Sequence, residues 1–159
     1  MYRNITLTVN KEARTVEVAP NELLLDVLRE RLGIKSPKIG CERGDCGACT
    51  VLLDGKTVRS CLILAIEADG HEITTLEGLC QERLTALQAS FLKHNSFQCG
   101  FCAPGVVLAA TELLQKNADP SAEEVQEAIS GNLCRCTGYR EIIDAILDAK
   151  PKAAAAGKS

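Results

Sequence analysis

The nine cysteines of this 159-residue chain are the residues whose number and spacing could support chemistry. A chain this short with so many cysteines uses them for disulfides, for metal ligation or for both. The count is odd, and the first twenty residues show no export signal. We therefore expect a cytoplasmic, reducing setting, in which structural disulfides rarely persist. Thiolate ligation of a metal is the first interpretation.

The first four cysteines open with the C-x4-C-x2-C spacing of plant-type ferredoxins, and the fourth follows after eleven residues. They are Cys41, Cys46, Cys49 and Cys61. Three thiolates must converge on one side of a tight loop, which requires the close backbone approach and positive φ values that glycine permits. The glycines of this loop are Gly40, Gly44 and Gly47. The pattern predicts a [2Fe–2S] cluster, with a four-thiolate zinc site as the less favoured alternative.

A second quartet combines a C-x2-C pair with a C-x-C pair some thirty residues later. Its members are Cys99, Cys102, Cys134 and Cys136. Both pairs lie beside expected helix starts, one of them marked by Pro104, where free N–H groups and the helix dipole favour thiolates. The spacing predicts a second cluster, although taken alone it also suits zinc or, for Cys134 and Cys136, a redox dithiol.

Strands must position the first quartet. Apolar and polar residues alternate over 5–9 and 16–18 around a polar turn at 10–12, which predicts a hairpin with one buried face. Asp54-Gly55 predicts a second hairpin, and 72–74 a further short strand. Between the hairpins we predict an amphipathic helix with Asn21 as its N-cap and Gly33 after its end. Its apolar face would be Leu23, Leu24, Val27, Leu28 and Leu32.

Helical spacing takes over after Gly78. Apolar residues at this spacing are Leu84, Leu87, Phe91 and Leu92, then Val106, Val107, Ala110, Leu113 and Leu114. Ser121 starts a capping box for a helix to about Ile129, and a last helix is expected from about Tyr139 to Ala149. The boundary would fall near residues 76–82, between a small β domain and a small helical domain. Cores of that size are marginal, so a metal centre in each would stabilise it.

Composition argues against other classes of function. The net charge is −3 without a basic block, and aromatic residues make up 3% of the chain, so we expect no nucleic-acid partner. The apolar stretches are too short to span a bilayer, so we expect no direct membrane insertion. The ninth cysteine, Cys80, is expected to pack as a small apolar residue. His71 and His94 lack ligand spacing and are expected at the surface.

Three long motifs carry a resemblance to a known family: 38–51 (KIGCERGDCGACTV), 98–102 (QCGFC) and 131–139 (GNLCRCTGY). In these residues the chain closely resembles the iron–sulfur subunits of the molybdenum hydroxylases, the xanthine dehydrogenase and aldehyde oxidase family. The resemblance covers nearly the whole chain except its tail. One departure is Ala103, where the family commonly has Thr or Ser, and it touches no proposed ligand.

The resemblance implies an α+β fold: an N-terminal β-grasp, plant-type ferredoxin domain (1–78), a C-terminal four-helix domain (79–150) and a flexible tail (151–159). It implies a [2Fe–2S] cluster in each domain, a molybdopterin-binding large subunit and an FAD-binding medium subunit. It places Gln98 in hydrogen-bond contact with the pterin and makes Cys136 the nearest cluster ligand. The implied function is an electron relay from the molybdopterin to FAD or another acceptor, cytoplasmic or membrane-associated through partners. A stand-alone carrier and a zinc-stabilised interaction module are the alternatives.

Overall fold

In the computed structural model, which describes residues 2–80 and 83–150, a five-stranded mixed sheet is followed by helices. The strands are β1 (Arg3–Val9), β2 (Glu12–Val18), β3 (Thr50–Leu53), β4 (Lys56–Arg59) and β5 (Glu72–Thr74). Their order across the sheet is β2-β1-β5-β3-β4. Strand β1 runs parallel to β5, and the other neighbouring pairs are antiparallel. The predicted α+β class is confirmed at this level.

Both predicted hairpins form, and so does the short strand over 72–74. Asn10 and Lys11 have φ values of 52° and 71°, and Asp54 and Gly55 have φ values of 48° and 78°. Positive φ at both central residues is typical of two-residue hairpin turns, because their twist matches that of the strands. The apolar residues of β1 are buried on one face, as the alternation predicts: Ile5, Leu7 and Val9.

The helix between the hairpins starts later than predicted. It comprises α1 (Leu24–Asp26) and a π-helical turn over Val27–Arg31, and its N-cap is Leu23 rather than Asn21. The cause is an antiparallel bridge between Leu23 and Leu64. The bridge keeps Leu23 extended, at φ −82° and ψ 146°, so helical backbone begins only at the next residue. Gly33, at φ 72°, follows the end of the helix as predicted.

The remaining helices are α2 (Leu76–Leu79), α3 (Ala86–Lys93), α4 (Ala103–Lys116), α5 (Ala122–Ile129) and α6 (Arg140–Asp148). The predicted capping box of α5 forms between Ser121 and Glu124. The apolar face predicted for α3 is wrong in part, because Leu84 and Leu92 are exposed. Leu87 and Phe91 of the predicted face are buried, and beside them the Ser90 hydroxyl donates to the Ala145 carbonyl oxygen at 2.7 Å.

Besides a small cluster at Cys49 and Cys61, the described part of the chain has two hydrophobic cores, one under the sheet and one among the helices. They meet where α4 covers the edge strand β4: the Thr57 N–H donates to the Glu112 carboxylate at 2.8 Å. A covered edge is protected from pairing with other chains. No described helix is long and apolar enough to cross a membrane. The predicted tail at 151–159, and residues 81 and 82 of the predicted boundary, lie outside the described residues.

Candidate metal centres

The loop that carries the first three cysteines directs backbone N–H groups at a thiol. The N–H of Cys46 lies 3.4 Å from Cys41 Sγ. Hydrogen bonds from the backbone of Arg43, and then of Cys46, lower the pKa of Cys41 to about 6. A sulfur that receives such bonds is stabilised as the anion, which is the form that ligates metals.

Cys49 and Cys61 form a buried pair whose Sγ atoms lie 3.3 Å apart. A 3-10 turn over Ser60–Leu62 places Cys61 there, and the Ser60 hydroxyl fixes the turn by donating to the Cys49 carbonyl oxygen at 2.7 Å. Burial, together with the neighbouring Cys49 thiol, raises the pKa of Cys61 to about 11. The Cys61 thiol therefore ionises readily only when a cation binds beside it.

Space requires all three glycines of the loop, whereas the expected positive φ is found at Gly44 and Gly47 but not at Gly40. A Cβ atom on Gly40 would lie 2.8 Å from Cys46 Sγ, so the sulfur occupies the place of a side chain. Gly47 has φ 73°, and a Cβ atom there would overlap the Gly131 carbonyl oxygen. Gly44 also has positive φ, with the Leu62 side chain in the corresponding position. The cradle that these residues form suits a group bound on the cysteine side of the loop.

The second quartet joins an exposed pair of thiols to a less exposed one. Cys99 and Cys136 are exposed, with Sγ atoms 3.4 Å apart. Cys102 is buried at the N-terminus of α4, and Pro104 lies in the first turn as predicted. Burial, and then the neighbouring Cys134 thiol, raises the pKa of Cys102 to about 12.

Cys134 is held in the loop between α5 and α6. Its N–H donates to the Tyr139 hydroxyl at 2.8 Å, and the Thr137 hydroxyl donates to its Sγ at 3.1 Å. Burial opposes ionisation of this thiol, but the hydrogen bonds from Thr137, Cys136 and Cys102 together outweigh burial, and the pKa of Cys134 is lowered. Tyr139 caps α6 in the left-handed conformation, with φ 66°.

Each quartet therefore contains one pair of neighbouring thiols, Cys49 with Cys61 in the first and Cys99 with Cys136 in the second. Two thiolates on one tetrahedral metal, each at about 2.3 Å, lie about 3.8 Å apart. The observed pairs at 3.3 and 3.4 Å approach that spacing. A binuclear cluster takes two thiolates on each iron, whereas zinc requires four around one point. The residues present fit a [2Fe–2S] cluster better than zinc.

The two candidate sites touch each other through their loops. The N–H of Leu133, next to Cys134, donates to the Cys46 carbonyl oxygen at 2.9 Å. Asn132 is 2% exposed, and its amide donates to the Gly47 carbonyl oxygen at 3.0 Å and to Thr50 Oγ1 at 3.1 Å. These contacts join segments more than eighty residues apart in the chain.

Sequence reasoning missed Arg59, whose guanidinium joins the same two loops. It did not single out Asn132 or Thr50 either, although Asn132 lies within the 131–139 motif. The available signals were that Thr50 and Asn132 lie within the 38–51 and 131–139 motifs, and that Arg59 lies two positions before Cys61.

The remaining residues that the sequence pointed to are Gln98, Cys80, His71 and His94. Gln98 Nε2 donates to the Cys136 carbonyl oxygen at 3.1 Å, so these two exposed residues are neighbours. Cys80 belongs to neither quartet and to neither hydrophobic core, and its thiol donates to the Arg83 carbonyl oxygen. Cys80 is half-buried, and the packing role expected of it stays a prediction. His71 and His94 bond to Asp54 and Asp148 near the surface.

The fold and the paired thiols define an iron–sulfur protein with two cluster sites, and comparison with known families agrees. Residues 7–85 match the family described as "2Fe-2S iron-sulfur cluster binding domain", and residues 75–147 match the "[2Fe-2S] binding domain". Each of the two quartets falls within one of these matches.

Individual relatives cover almost the whole chain. The small subunit of nicotine 6-hydroxylase from Paenarthrobacter nicotinovorans is 52% identical over 91% of this chain and 88% of its own. The nicotinate dehydrogenase small FeS subunit of Eubacterium barkeri is 50% identical over 89% and 91%. A chain in the crystal structure of quinoline 2-oxidoreductase from Pseudomonas putida 86 superimposes with a TM-score of 0.90, at 52% identity over 92% and 91%. This chain belongs to the family of the small iron–sulfur subunits of molybdenum hydroxylases.

Proposed function

We propose that this chain is the electron-transfer subunit of a multisubunit molybdenum hydroxylase. It would pass electrons between the molybdopterin centre of a large subunit and FAD, or another acceptor, through two [2Fe–2S] clusters. The observation that carries this proposal is the direct contact of the two thiol-bearing loops, through the hydrogen bond from Leu133 N–H to the Cys46 carbonyl oxygen. The relatives support it, because their names describe them as small subunits of a hydroxylase and of a dehydrogenase.

The cysteine spacing suggests the ligands of the two clusters, and one close thiol pair in each quartet supports the assignment. We assign the first cluster to Cys41, Cys46, Cys49 and Cys61, and the second to Cys99, Cys102, Cys134 and Cys136. Each cluster supplies one-electron redox chemistry when bound. The chain holds the thiolates at fixed spacing, donates N–H and O–H hydrogen bonds to sulfur and keeps Cys49, Cys61 and Cys102 away from water. These are the factors by which a protein sets a cluster potential.

Partner subunits would face opposite ends of this relay. Gln98 and the exposed thiols of Cys99 and Cys136 lie together, which supports a molybdopterin-facing surface at the second cluster. The half-exposed loop around Cys41 and Cys46 would face the FAD-binding subunit. Substrate chemistry belongs to the large subunit, and we assign no acid, base or nucleophile to this chain. We propose a cytoplasmic location for the complex.

The finer description of the fold is part of the same proposal. The sheet order and the crossing helix α1 support a β-grasp ferredoxin domain at residues 1–78. Helices α3 to α6, with a core of their own, support a four-helix domain at 79–150.

Low-temperature EPR of the dithionite-reduced native complex, with iron measured on the same sample, tests the proposal. We expect two distinct S = 1/2 signals and about four irons per chain, two for each cluster. Cys102→Ser should remove one signal and about two irons, whereas Cys80→Ser should retain both signals and all the iron. Cys80 is the matched control because it is the one cysteine outside the quartets.

Three results would count against the proposal. Zinc without iron or acid-labile sulfide would support the interaction-module alternative. Loss of a signal in Cys80→Ser would require a different ligand set. A chain that purifies as a monomer, with no molybdenum-containing partner, would favour the stand-alone carrier.

A further inference from the structure

Arg59 lies between the two cysteine quartets and bonds to the loops of both. It is the last residue of β4, two positions before Cys61. Its Nη1 donates to Thr50 Oγ1 at 2.7 Å, and its Nη2 donates to the Gly131 carbonyl oxygen at 2.6 Å. Thr50 follows Cys49, and Gly131 precedes Cys134 by three residues. One guanidinium therefore spans the junction of the two sites.

The surroundings of Arg59 hold it in that position. Thr50 is fully buried, and its hydroxyl accepts from Arg59 and from Asn132 while donating to the Gly47 carbonyl oxygen at 2.6 Å. All the hydrogen-bonding capacity of this hydroxyl is then used. The guanidinium lies against Gly131, where a Cβ atom would collide with it. Because the planar guanidinium of Arg59 makes two short hydrogen bonds, it is held in one position and does not move as a surface side chain would.

The charge of Arg59 is also not neutralised nearby. No carboxylate in the described part of the chain lies within 4.0 Å of its nitrogen atoms. The side chain is only partly exposed, so solvent screens its charge less than that of a fully exposed arginine. A positive charge here acts on any negative charge that arrives at either quartet.

We infer that Arg59 is a positioning residue shared by the two cluster sites, which fixes the contact between their loops and raises the reduction potential of both clusters. Reduction adds one electron, and hence one negative charge, to a cluster, and a nearby cation favours that form. This inference rests on the proposed two-cluster function. It adds a residue that ligates neither cluster and that links their potentials.

Redox titration of the intact complex, followed by the EPR signal of each cluster, tests the inference with three variants. Arg59→Gln removes the charge, and we expect the midpoint potentials of both clusters to fall. Arg59→Lys keeps the charge but not the planar fork, so both potentials should stay closer to wild type while the midpoint of thermal unfolding drops. Arg14→Gln also removes one positive charge, but from β2. Strand β2 lies four strand spacings, or about 19 Å, from the strand β4 that carries Arg59. This control should leave both potentials unchanged.

Each outcome has a defined meaning. If both potentials stay at the wild-type value in Arg59→Gln, or only one falls, a shared effect on the two clusters is wrong. If Arg59→Lys falls as far as Arg59→Gln, the charge is not the cause and the inference fails. EPR signals of full intensity in each variant show that the clusters are still assembled. Absence of two signals in the wild-type complex would instead refute the proposed function itself.

Discussion

The side-chain amide of Asn132 donates to the carbonyl oxygen of Gly47 at 3.0 Å, across 85 positions of sequence. Gly47 lies between two cysteines of the first quartet, and Asn132 lies two residues before the third cysteine of the second. The hydrogen bond is buried, and the same amide also reaches Thr50. The relative position of the two candidate clusters therefore depends on a polar contact and not on the hydrophobic cores alone.

Removing that amide should weaken the junction. We expect Asn132→Ala to lower the free energy of unfolding by about 1–3 kcal/mol, because two buried hydrogen bonds are lost, each worth about 0.5–1.5 kcal/mol. Denaturant unfolding followed by circular dichroism measures the change. Asn4→Ala is the control, since Asn4 is exposed on β1 and should change stability by less than about 0.5 kcal/mol. Equal effects of the two substitutions would show that the junction contributes nothing.

The contact between β4 and α4, in which the Thr57 N–H donates to the Glu112 carboxylate, should depend on pH. Burial opposes ionisation of Glu112, but hydrogen bonds from Lys116 and from the Thr57 N–H outweigh it and lower the pKa of Glu112 below 4.5. Because the pKa is lower in the folded state, the stabilisation is complete above the unfolded value and is lost as pH falls through the folded one. We expect wild type to be more stable than Glu112→Gln at pH 7, and the difference to shrink below about pH 4.5.

Measuring that difference at each pH removes effects of acid on the clusters, which both proteins share. Glu127→Gln, an exposed carboxylate on α5, serves as a charge-matched control and should track wild type throughout. A wild-type advantage that persisted unchanged to pH 3 would contradict the assigned role of the Glu112 carboxylate.

The elements that sequence predicts best are those specified by neighbouring residues. Asp54-Gly55 and the Ser121 capping box act over two to four positions, and both form as expected. The N-cap at Asn21 fails because Leu23 pairs with Leu64, forty-one positions away. Local propensity contains no information on that bridge.

The same distinction applies to the candidate site. The cysteine spacing predicts two quartets of ligands, and the structure brings two thiols of each quartet close together. Arg59 and Asn132 bond to loops that lie 72 and 85 positions away in the chain, and no local pattern predicts those contacts. Their hydrogen-bond acceptors are carbonyl oxygens and a threonine hydroxyl, groups that occur many times in any sequence.

Thr137 should tune one cluster without affecting the other. Its hydroxyl donates to Cys134 Sγ at 3.1 Å, and such bonds stabilise the more negative, reduced state of a cluster. We expect Thr137→Val, which removes the donor at nearly constant volume, to lower the potential of the second cluster only. Thr137→Ser retains the hydroxyl and should restore the wild-type value in EPR-monitored titrations. A fall in both potentials would mean that the loop has moved, not that one hydrogen bond is lost.

The strictest steric requirement lies at Gly47, and the chain provides a matched control in Gly55. Their φ values are 73° and 78°, so alanine strains the backbone equally at both, by about 1–2 kcal/mol. They differ in space, because a Cβ atom at Gly47 would overlap the Gly131 carbonyl oxygen, while nothing lies within 4 Å at Gly55. We expect Gly55→Ala to lose only the strain energy and to keep its full iron content. Gly47→Ala should lose more stability and also iron, because the loop that carries Cys46 and Cys49 must separate from the segment that carries Cys134. Iron content and the free energy of unfolding should be measured for both variants. Similar values for Gly47→Ala and Gly55→Ala would show that loop contact is not required for cluster assembly.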